Sequence, residues 1–84
     1  MNEPIHRVVY KEKFGPWVNK REYADEPTST HFTQLAAVAS AKEMLRREGG
    51  GTLFIRGPNG LIRDRIDVRP DRGVSIFRTG DGYR

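Results

Sequence analysis

One segment of this chain, residues 33–48, has the periodicity of an α-helix, whereas the segments around it have the short alternations and turns of β-strands. Its apolar residues recur at spacings of three and four, which places them on one side of a helix: Leu35, Val38, Ala41, Met44 and Leu45. The hydroxyl of Thr33 can cap the amino end, and Gly49 can adopt the left-handed conformation that ends a helix. In a chain of 84 residues, this single helix can cover only one face of a sheet, so the fold is limited to one sheet with one covered face.

The residues before the helix predict a hairpin and one further strand. Apolar and polar residues alternate over residues 5–13, a Gly-Pro pair interrupts the pattern, and residues 17–23 form the returning strand. Residues 28–32 are rich in β-branched side chains and predict a short third strand. After the helix, residues 52–56 and 61–66 flank a Gly-Pro-Asn-Gly turn, so they predict a second hairpin.

These elements predict an α+β fold, in which an antiparallel β-sheet of four to five strands has one α-helix packed on one face. The predicted order is β-β-(β)-α-β-β. Residues 1–66 form this domain in the prediction. Residues 67–84 form a C-terminal extension, with an edge strand predicted at residues 74–78 and a loose end after it.

The composition excludes several classes of site. The sequence has no cysteine, which excludes disulfides, thiolate zinc sites and cysteine nucleophiles. Fifteen Lys and Arg against eleven Asp and Glu give a net charge of +4, which favours acidic partners. No apolar run reaches the roughly 20 residues that span a bilayer, and the first residues have no apolar signal-peptide core. We therefore expect a cytoplasmic protein without a membrane partner.

Four motifs follow one another in a characteristic order: HRVV at residues 6–9, Trp17 with Lys20, Thr33 with Ala37 and Ala41-Lys42-Glu43 on the helix, and LFIRGPNGLIRDR at residues 53–65. In this order they resemble the domain of unknown function 2188 family, a group of small bacterial and phage proteins, over residues 5–66. The resemblance implies the same layout of sheet and helix and no settled activity. Two positions depart from the family pattern: Asn19 stands where an apolar residue is usual, and Arg56 stands where a histidine is common.

The residue types that catalysis or metal binding requires are scarce. His6 and His31 are the two histidines, so a multi-histidine metal site is excluded, and a pair such as His31 with Asp25 lacks a third partner. The serines lie in no nucleophile-elbow sequence. The glycines at residues 49–51 follow a helix, whereas those of a phosphate-binding loop precede one. We therefore expect no catalytic residue, no metal, no cofactor and no enzymatic activity.

Strand alternation predicts a basic face on the side of the sheet away from the helix. If Leu53 and Ile55 point to the helix, alternation directs Phe54 outward. On the following strand, if Ile62 and Ile66 point inward, alternation directs Arg63 and Arg65 to the same outer side. The candidate partner-binding residues are Phe54, Arg56, Arg63, Arg65, Arg69 and Arg72.

The sequence leaves three interpretations of this face open. The arginine stems can cover the apolar sheet while their charged ends stay in water. The face can dock on an acidic surface of another protein, or it can bind single-stranded nucleic acid through stacking and phosphate contacts. The leading hypothesis is a non-catalytic adaptor or inhibitor module, of the kind that phages and mobile elements encode, with a protein or nucleoprotein partner. The alternative is a direct nucleic-acid-binding protein, and an edge strand also allows a homodimer.

Overall fold

The computed structural model describes residues 5–70, and its elements occur in the predicted order. They are β1 (Ile5–Lys11), β2 (Trp17–Arg21), β3 (Ser29–His31), α1 (Gln34–Arg47), β4 (Gly51–Arg56) and β5 (Ile62–Val68). The third strand is present within this range, and the α+β class is confirmed as a five-stranded sheet with one helix. β5 extends past residue 66, where the predicted domain ends, and the strand predicted at residues 74–78 lies outside the described residues.

The strands lie in the order β3-β2-β1-β4-β5, so the first strand of the chain is the centre of the sheet. The pairs β1–β2, β2–β3 and β4–β5 are antiparallel, but β1 and β4 are parallel. The prediction of an antiparallel sheet is wrong for that pair. Because β3 runs in the same direction as β1 and α1 carries the chain back, β4 must start at the same end of the sheet as β1.

α1 begins at a capping residue and ends at glycines, as its sequence predicts. The amide of Ala36 donates to the hydroxyl of Thr33 at 3.1 Å, and the amide of Gly50 donates to the carbonyl oxygen of Leu45 at 2.6 Å. Gly49 and Gly50 have φ values of +101° and +90°, which are costly for other residues. With 14 residues the helix is too short to cross a membrane, and residues 5–70 contain no other helix.

The side of α1 that faces the sheet agrees with the predicted side at Val38, Ala41 and Leu45 and differs from it at Leu35. Ala37, Ala41 and Leu45 follow one another at intervals of four residues and are fully buried. Leu35, which the pattern assigned to the buried side, is 80% exposed. The two alanines let the helix backbone approach the sheet closely, and this close approach selects their side of the helix over the side that carries the larger Leu35.

The hydrophobic core lies between α1 and the two central strands. Its buried residues are Val9, Ala37, Ala41, Leu45, Leu53 and Ile55. Trp17 and Ile66 pack against the margins of this cluster. The helix contacts β1 and β2 most extensively and β5 least. The core is therefore thick in the middle of the sheet and thin beneath β5.

A buried arginine joins the carboxyl end of α1 to the sheet. The side chain of Arg7, on β1, is 3% exposed and points toward the helix. It donates to the two carboxylate oxygens of Glu48 at 3.4 and 3.2 Å, to the side-chain oxygen of Asn19 at 3.3 Å and to the hydroxyl of Thr28 at 3.0 Å. The desolvation of a guanidinium is offset only when its donors are satisfied in this way.

Asn19, the residue that departs from the apolar family pattern, extends the same polar network across the top of the core. It is fully buried, and its side-chain nitrogen donates to Ser29 Oγ at 3.2 Å, to Ser40 Oγ at 3.4 Å and to Met44 Sδ at 3.4 Å. An apolar residue at this position would leave Arg7 without one of its acceptors. Arg7 and Asn19 are therefore a matched pair, and the residues of this polar network are Arg7, Asn19, Thr28, Ser29, Ser40 and Glu48.

Candidate binding face

The side of the sheet that points away from α1 is the candidate site, and we call it the open face. No helix or strand of residues 5–70 covers it. Strand register places its side chains: His6, Val8 and Tyr10 on β1, Phe54 and Arg56 on β4, Lys20 on β2 and Arg65 on β5. The two central strands therefore supply the middle of the face, and the basic residues of their neighbours flank it.

An aromatic and basic cluster occupies the middle of the open face. The guanidinium carbon of Arg56 lies 5.5 Å from the centroid of the Tyr10 ring, within the range of a cation–π contact. The rings of Phe54 and His6 have centroids 5.7 Å apart and an interplanar angle of 89°, an edge-to-face arrangement. Each contact joins β1 to β4, so the parallel pair of strands positions both. We call His6, Tyr10, Phe54 and Arg56 the aromatic–basic cluster.

Small buried side chains support this cluster from beneath. Val8 lies opposite Lys20 on one side and Phe54 on the other, and it is 2% exposed although it points away from the helix. Val18 on β2 is 1% exposed. The long neighbours therefore lie over the valines and hold their charged or aromatic ends at the surface. The outer layer of the open face therefore consists of charged and aromatic groups.

The open face carries charged groups of both signs. His6 Nδ1 lies 3.1 Å from a carboxylate oxygen of Glu22, and Nε of Arg65 lies 3.5 Å from a carboxylate oxygen of Asp67. Asp67 also accepts a hydrogen bond from the hydroxyl of Thr52 at 3.1 Å. The Arg65 and Asp67 side chains are 65% and 74% exposed, so this ion pair contributes little to folding and is free to exchange partners.

Three of the six predicted binding residues come together on the open face: Phe54, Arg56 and Arg65. The basis of the prediction for β4 is confirmed, because Leu53 and Ile55 do pack in the core. Ile66 also packs toward the core as expected.

Arg63 is separated from this group by an irregularity in strand pairing. Ile55 lies opposite Asp64, but Arg56 lies opposite Ile62, so one residue of β5 is left over between the two pairs. The inward direction expected for Ile62 is wrong, since Ile62 is 58% exposed. The Arg63 side chain runs against the backbone of Gly57, where a Cβ would stand 2.5 Å from Cδ of Arg63. Alternation fails here because a bulge shifts its phase.

Of the remaining two predicted residues, one is within the described range. Arg69 follows the end of β5 and lines a groove of about 360 Å³ beside α1, together with Lys42 and Arg46. Arg72 lies outside the described residues. Arg69 is not part of the aromatic–basic cluster.

Sequence reasoning missed Tyr10, His6 and Lys20 as members of the face. The alternation in residues 5–13 does place Tyr10 and His6 on the side opposite Val9. The sequence did not show that β4 lies beside β1, because a parallel contact between strands about 45 residues apart has no local sequence signal. Once β4 is known to lie beside β1, both residues fall next to Phe54 and Arg56.

A second polar feature lies at the opposite edge of the sheet. Ser29 Oγ lies 2.8 Å from His31 Nε2, so His31 contacts a hydroxyl and not Asp25, the partner considered from sequence. His31 also lines a groove of about 450 Å³ between the first hairpin and the loop that precedes α1. Ser29 belongs to the buried polar network, which accounts for the contact structurally. Among residues 5–70, no group of three or more His, Asp or Glu side chains could hold a metal.

No curated protein and no solved structure matches the chain. A family model described as an uncharacterized protein conserved in bacteria matches residues 6–68 of the 84, a range that contains all five strands except Ile5 and the whole of α1. Because this match covers well over half of the sequence, the chain belongs to the domain of unknown function 2188 family.

Proposed function

We propose that this protein is a non-catalytic binding module of the adaptor or inhibitor type, which docks its open face on an acidic surface of a protein or nucleoprotein partner. The observation that carries the proposal is the aromatic–basic cluster, in which Arg56 lies over Tyr10 beside Phe54. Arginine and aromatic side chains are the groups that most often dominate the energy of protein interfaces. Here they lie on paired central strands, so little conformational entropy is lost when a partner binds.

The charge pattern favours a protein surface over a bare phosphate backbone. The positive side chains Lys20, Arg56 and Arg65 share the face with the carboxylates of Glu22 and Asp67. A protein surface can present both signs of charge in a matching arrangement. A polyphosphate presents one sign, and it would bring negative charge against both carboxylates.

Direct binding of single-stranded nucleic acid is the second candidate, and the two aromatic rings favour it. Tyr10 and Phe54 lie on adjacent strands, on a face that no helix or strand of residues 5–70 covers, and bases can stack on such an arrangement. Binding of this kind would weaken steeply as salt rises, because phosphate contacts release counterions.

The test compares two charge reversals in the full-length protein. Arg56→Glu reverses the charge at the centre of the open face, whereas Arg47→Glu makes the same change on α1, where the side chain is 73% exposed. Proteins that crosslink to the tagged protein in a bacterial lysate are identified by mass spectrometry. An acidic partner retained by the unaltered protein and by Arg47→Glu, but lost with Arg56→Glu, supports the proposal. Equal retention by all three proteins contradicts it.

The nucleic-acid candidate is tested separately with labelled single- and double-stranded oligonucleotides at two salt concentrations. Anisotropy that rises at low salt, falls at high salt and is reduced by Tyr10→Ala and Phe54→Ala would favour this candidate over the protein partner. No binding at low salt removes it.

A further inference from the structure

β5 forms one edge of the sheet and pairs with β4 as its one neighbour among residues 5–70. In an antiparallel pair, every second residue directs its N–H and C=O groups away from the neighbouring strand, so an edge strand presents a row of unpaired backbone groups. α1 touches β5 least of all the strands and does not reach over this edge. The backbone of β5 is therefore positioned to accept another strand.

The regular part of β5 is the five-residue segment from Asp64 to Val68. Its side chains alternate between the two faces. Asp64, Ile66 and Val68 lie opposite Ile55, Leu53 and Gly51 and belong to the helix side, whereas Arg65 and Asp67 belong to the open face. The bulge near Ile62 lies outside this segment, so the segment forms an unbroken ladder.

We propose that two copies of the chain associate through β5, antiparallel, about a two-fold axis that passes beside Ile66. The two sheets then continue into one sheet of ten strands, with both helices on one side and both open faces on the other. Ile66 lies opposite Ile66 of the second copy on the helix side. On the open face, Arg65 lies opposite Asp67 of the second copy, and by symmetry Asp67 lies opposite its Arg65. An interface of this kind is self-complementary, as two-fold symmetry requires.

The charges select this register over its neighbours. Directly opposite residues of two antiparallel strands point to the same face of the sheet. The two-fold axis therefore passes beside one residue, which lies opposite its own copy, and not between two residues. An axis beside Arg65 brings two arginines together, and an axis beside Asp64 or Asp67 brings two aspartates together. Like charges directly opposite each other are unfavourable in a sheet, whereas opposite charges are favourable. The axis beside Ile66 joins opposite charges at both flanking positions within β5. An axis beside Val68 also joins opposite charges, Asp67 with Arg69, but Arg69 lies past the end of β5 and Pro70, which has no N–H, would lie opposite Ile66.

The groove between α1 and β5 adds a second match on the helix side. It has a volume of about 360 Å³ and is lined by Lys42 and Arg46 of α1 and by Ile66 and Val68 of β5. In the proposed register, Asp64 of the second copy lies directly opposite Val68. Its carboxylate is thus brought to the mouth of a groove that carries two positive charges. The same contact covers Ile66 and Val68, the apolar residues of β5 where the core is thin.

A charge exchange between copies tests the register. Arg65→Asp alone places two aspartates opposite each other at both flanking positions, and Asp67→Arg alone places two arginines there. Each variant should dimerise about tenfold or more weakly than the unaltered protein. An equimolar mixture of the two variants restores opposite charges at both positions, so it should form a heterodimer. Sedimentation velocity over a concentration series measures all four samples.

Single-cysteine crosslinking provides a second readout, because the natural chain has no cysteine. In the proposed register the two copies of residue 66 are directly opposite, at a separation that a disulfide spans. Ile66→Cys should therefore form a covalent dimer under mild oxidation. Asp64→Cys, on the same strand and the same face, should not, since its two copies lie on opposite sides of the axis.

The proposal is overturned if the full-length protein sediments as a monomer up to millimolar concentration, which would be the result if this edge were occupied from within the chain. It is also overturned if the mixed charge variants stay monomeric, or if Asp64→Cys crosslinks as readily as Ile66→Cys. These outcomes are independent of the proposed function, because the docking test uses Arg56, which lies on β4 and away from this edge.

Discussion

Replacement of Arg7 by methionine tests whether the polar network stabilises the fold. Arg7→Met keeps most of the apolar stem but removes four donated hydrogen bonds, two of them to Glu48. The largest cost falls on Asn19, which is fully buried and loses the donor to its side-chain oxygen. A buried polar group without a partner costs about 1–3 kcal/mol. The Glu48 side chain is 28% exposed and can recover water, so its loss adds about 1 kcal/mol.

The expected loss of unfolding free energy is therefore about 2–4 kcal/mol. This range overlaps the lower part of the about 3–5 kcal/mol that breaking a fully buried ion pair costs, because Glu48 is partly exposed. A chain of this length has a total stability of about 4–13 kcal/mol, so the loss is a large fraction of it. Urea denaturation followed by circular dichroism measures the change as a lower midpoint with an unchanged slope. Thermal unfolding should shift by about 10–20 °C.

The matched control is Arg47→Met, which makes the same change where the side chain is 73% exposed and contacts Glu43 alone. An exposed pair of this kind contributes about 0.5 kcal/mol or less. If Arg7→Met destabilises the protein no more than Arg47→Met does, the network does not stabilise the fold, and the argument that Arg7 and Asn19 are a matched pair fails.

Three other changes have definite expected results in the same urea assay. Gly51→Ala should cost more than about 4 kcal/mol, because its Cβ would stand 2.0 Å from the carbonyl oxygen of Ile5 and separate β1 from β4. Gly49→Ala meets no atom within 4 Å and should cost only the left-handed strain, about 1–2 kcal/mol. Thr33→Ala removes the cap on the Ala36 amide and should lower the free energy of unfolding by about 1 kcal/mol.

The parts of the fold that depend on local chemistry could be predicted from the sequence. The helix was predictable because Thr33 and Gly49 mark its two ends, and the second hairpin because Gly60 supplies the positive φ of its turn, observed at +82°. The burial of Ala37 and the exposure of Leu35 were not predictable, because the small alanines lie where the helix approaches the sheet closely. Leu35 is exposed for this reason, while Ala37 and Ala41 are buried.

The parts that depend on distant contacts could not be predicted. Arg7 and Glu48 are 41 residues apart, and nothing near either residue indicates the other. The parallel contact between β1 and β4 depends on whether the three-residue strand β3 forms, since an extra strand reverses the direction in which the chain enters α1. Arg63 was misplaced because a bulge of one residue changes which side chains share a face, and the sequence of β5 gives no sign of it.

The polar network also determines which side chains of β1 lie on the open face. A strand that slips by one residue exchanges its two faces, and apolar residues alone resist this weakly when both faces carry valine, as β1 does with Val8 and Val9. Arg7 can be satisfied only on the helix side, where Glu48 lies, so it fixes the phase of β1. That phase directs Tyr10 to the open face, where β4 brings Arg56 over its ring. A residue buried on the helix side of the sheet thereby determines which groups lie on the open face.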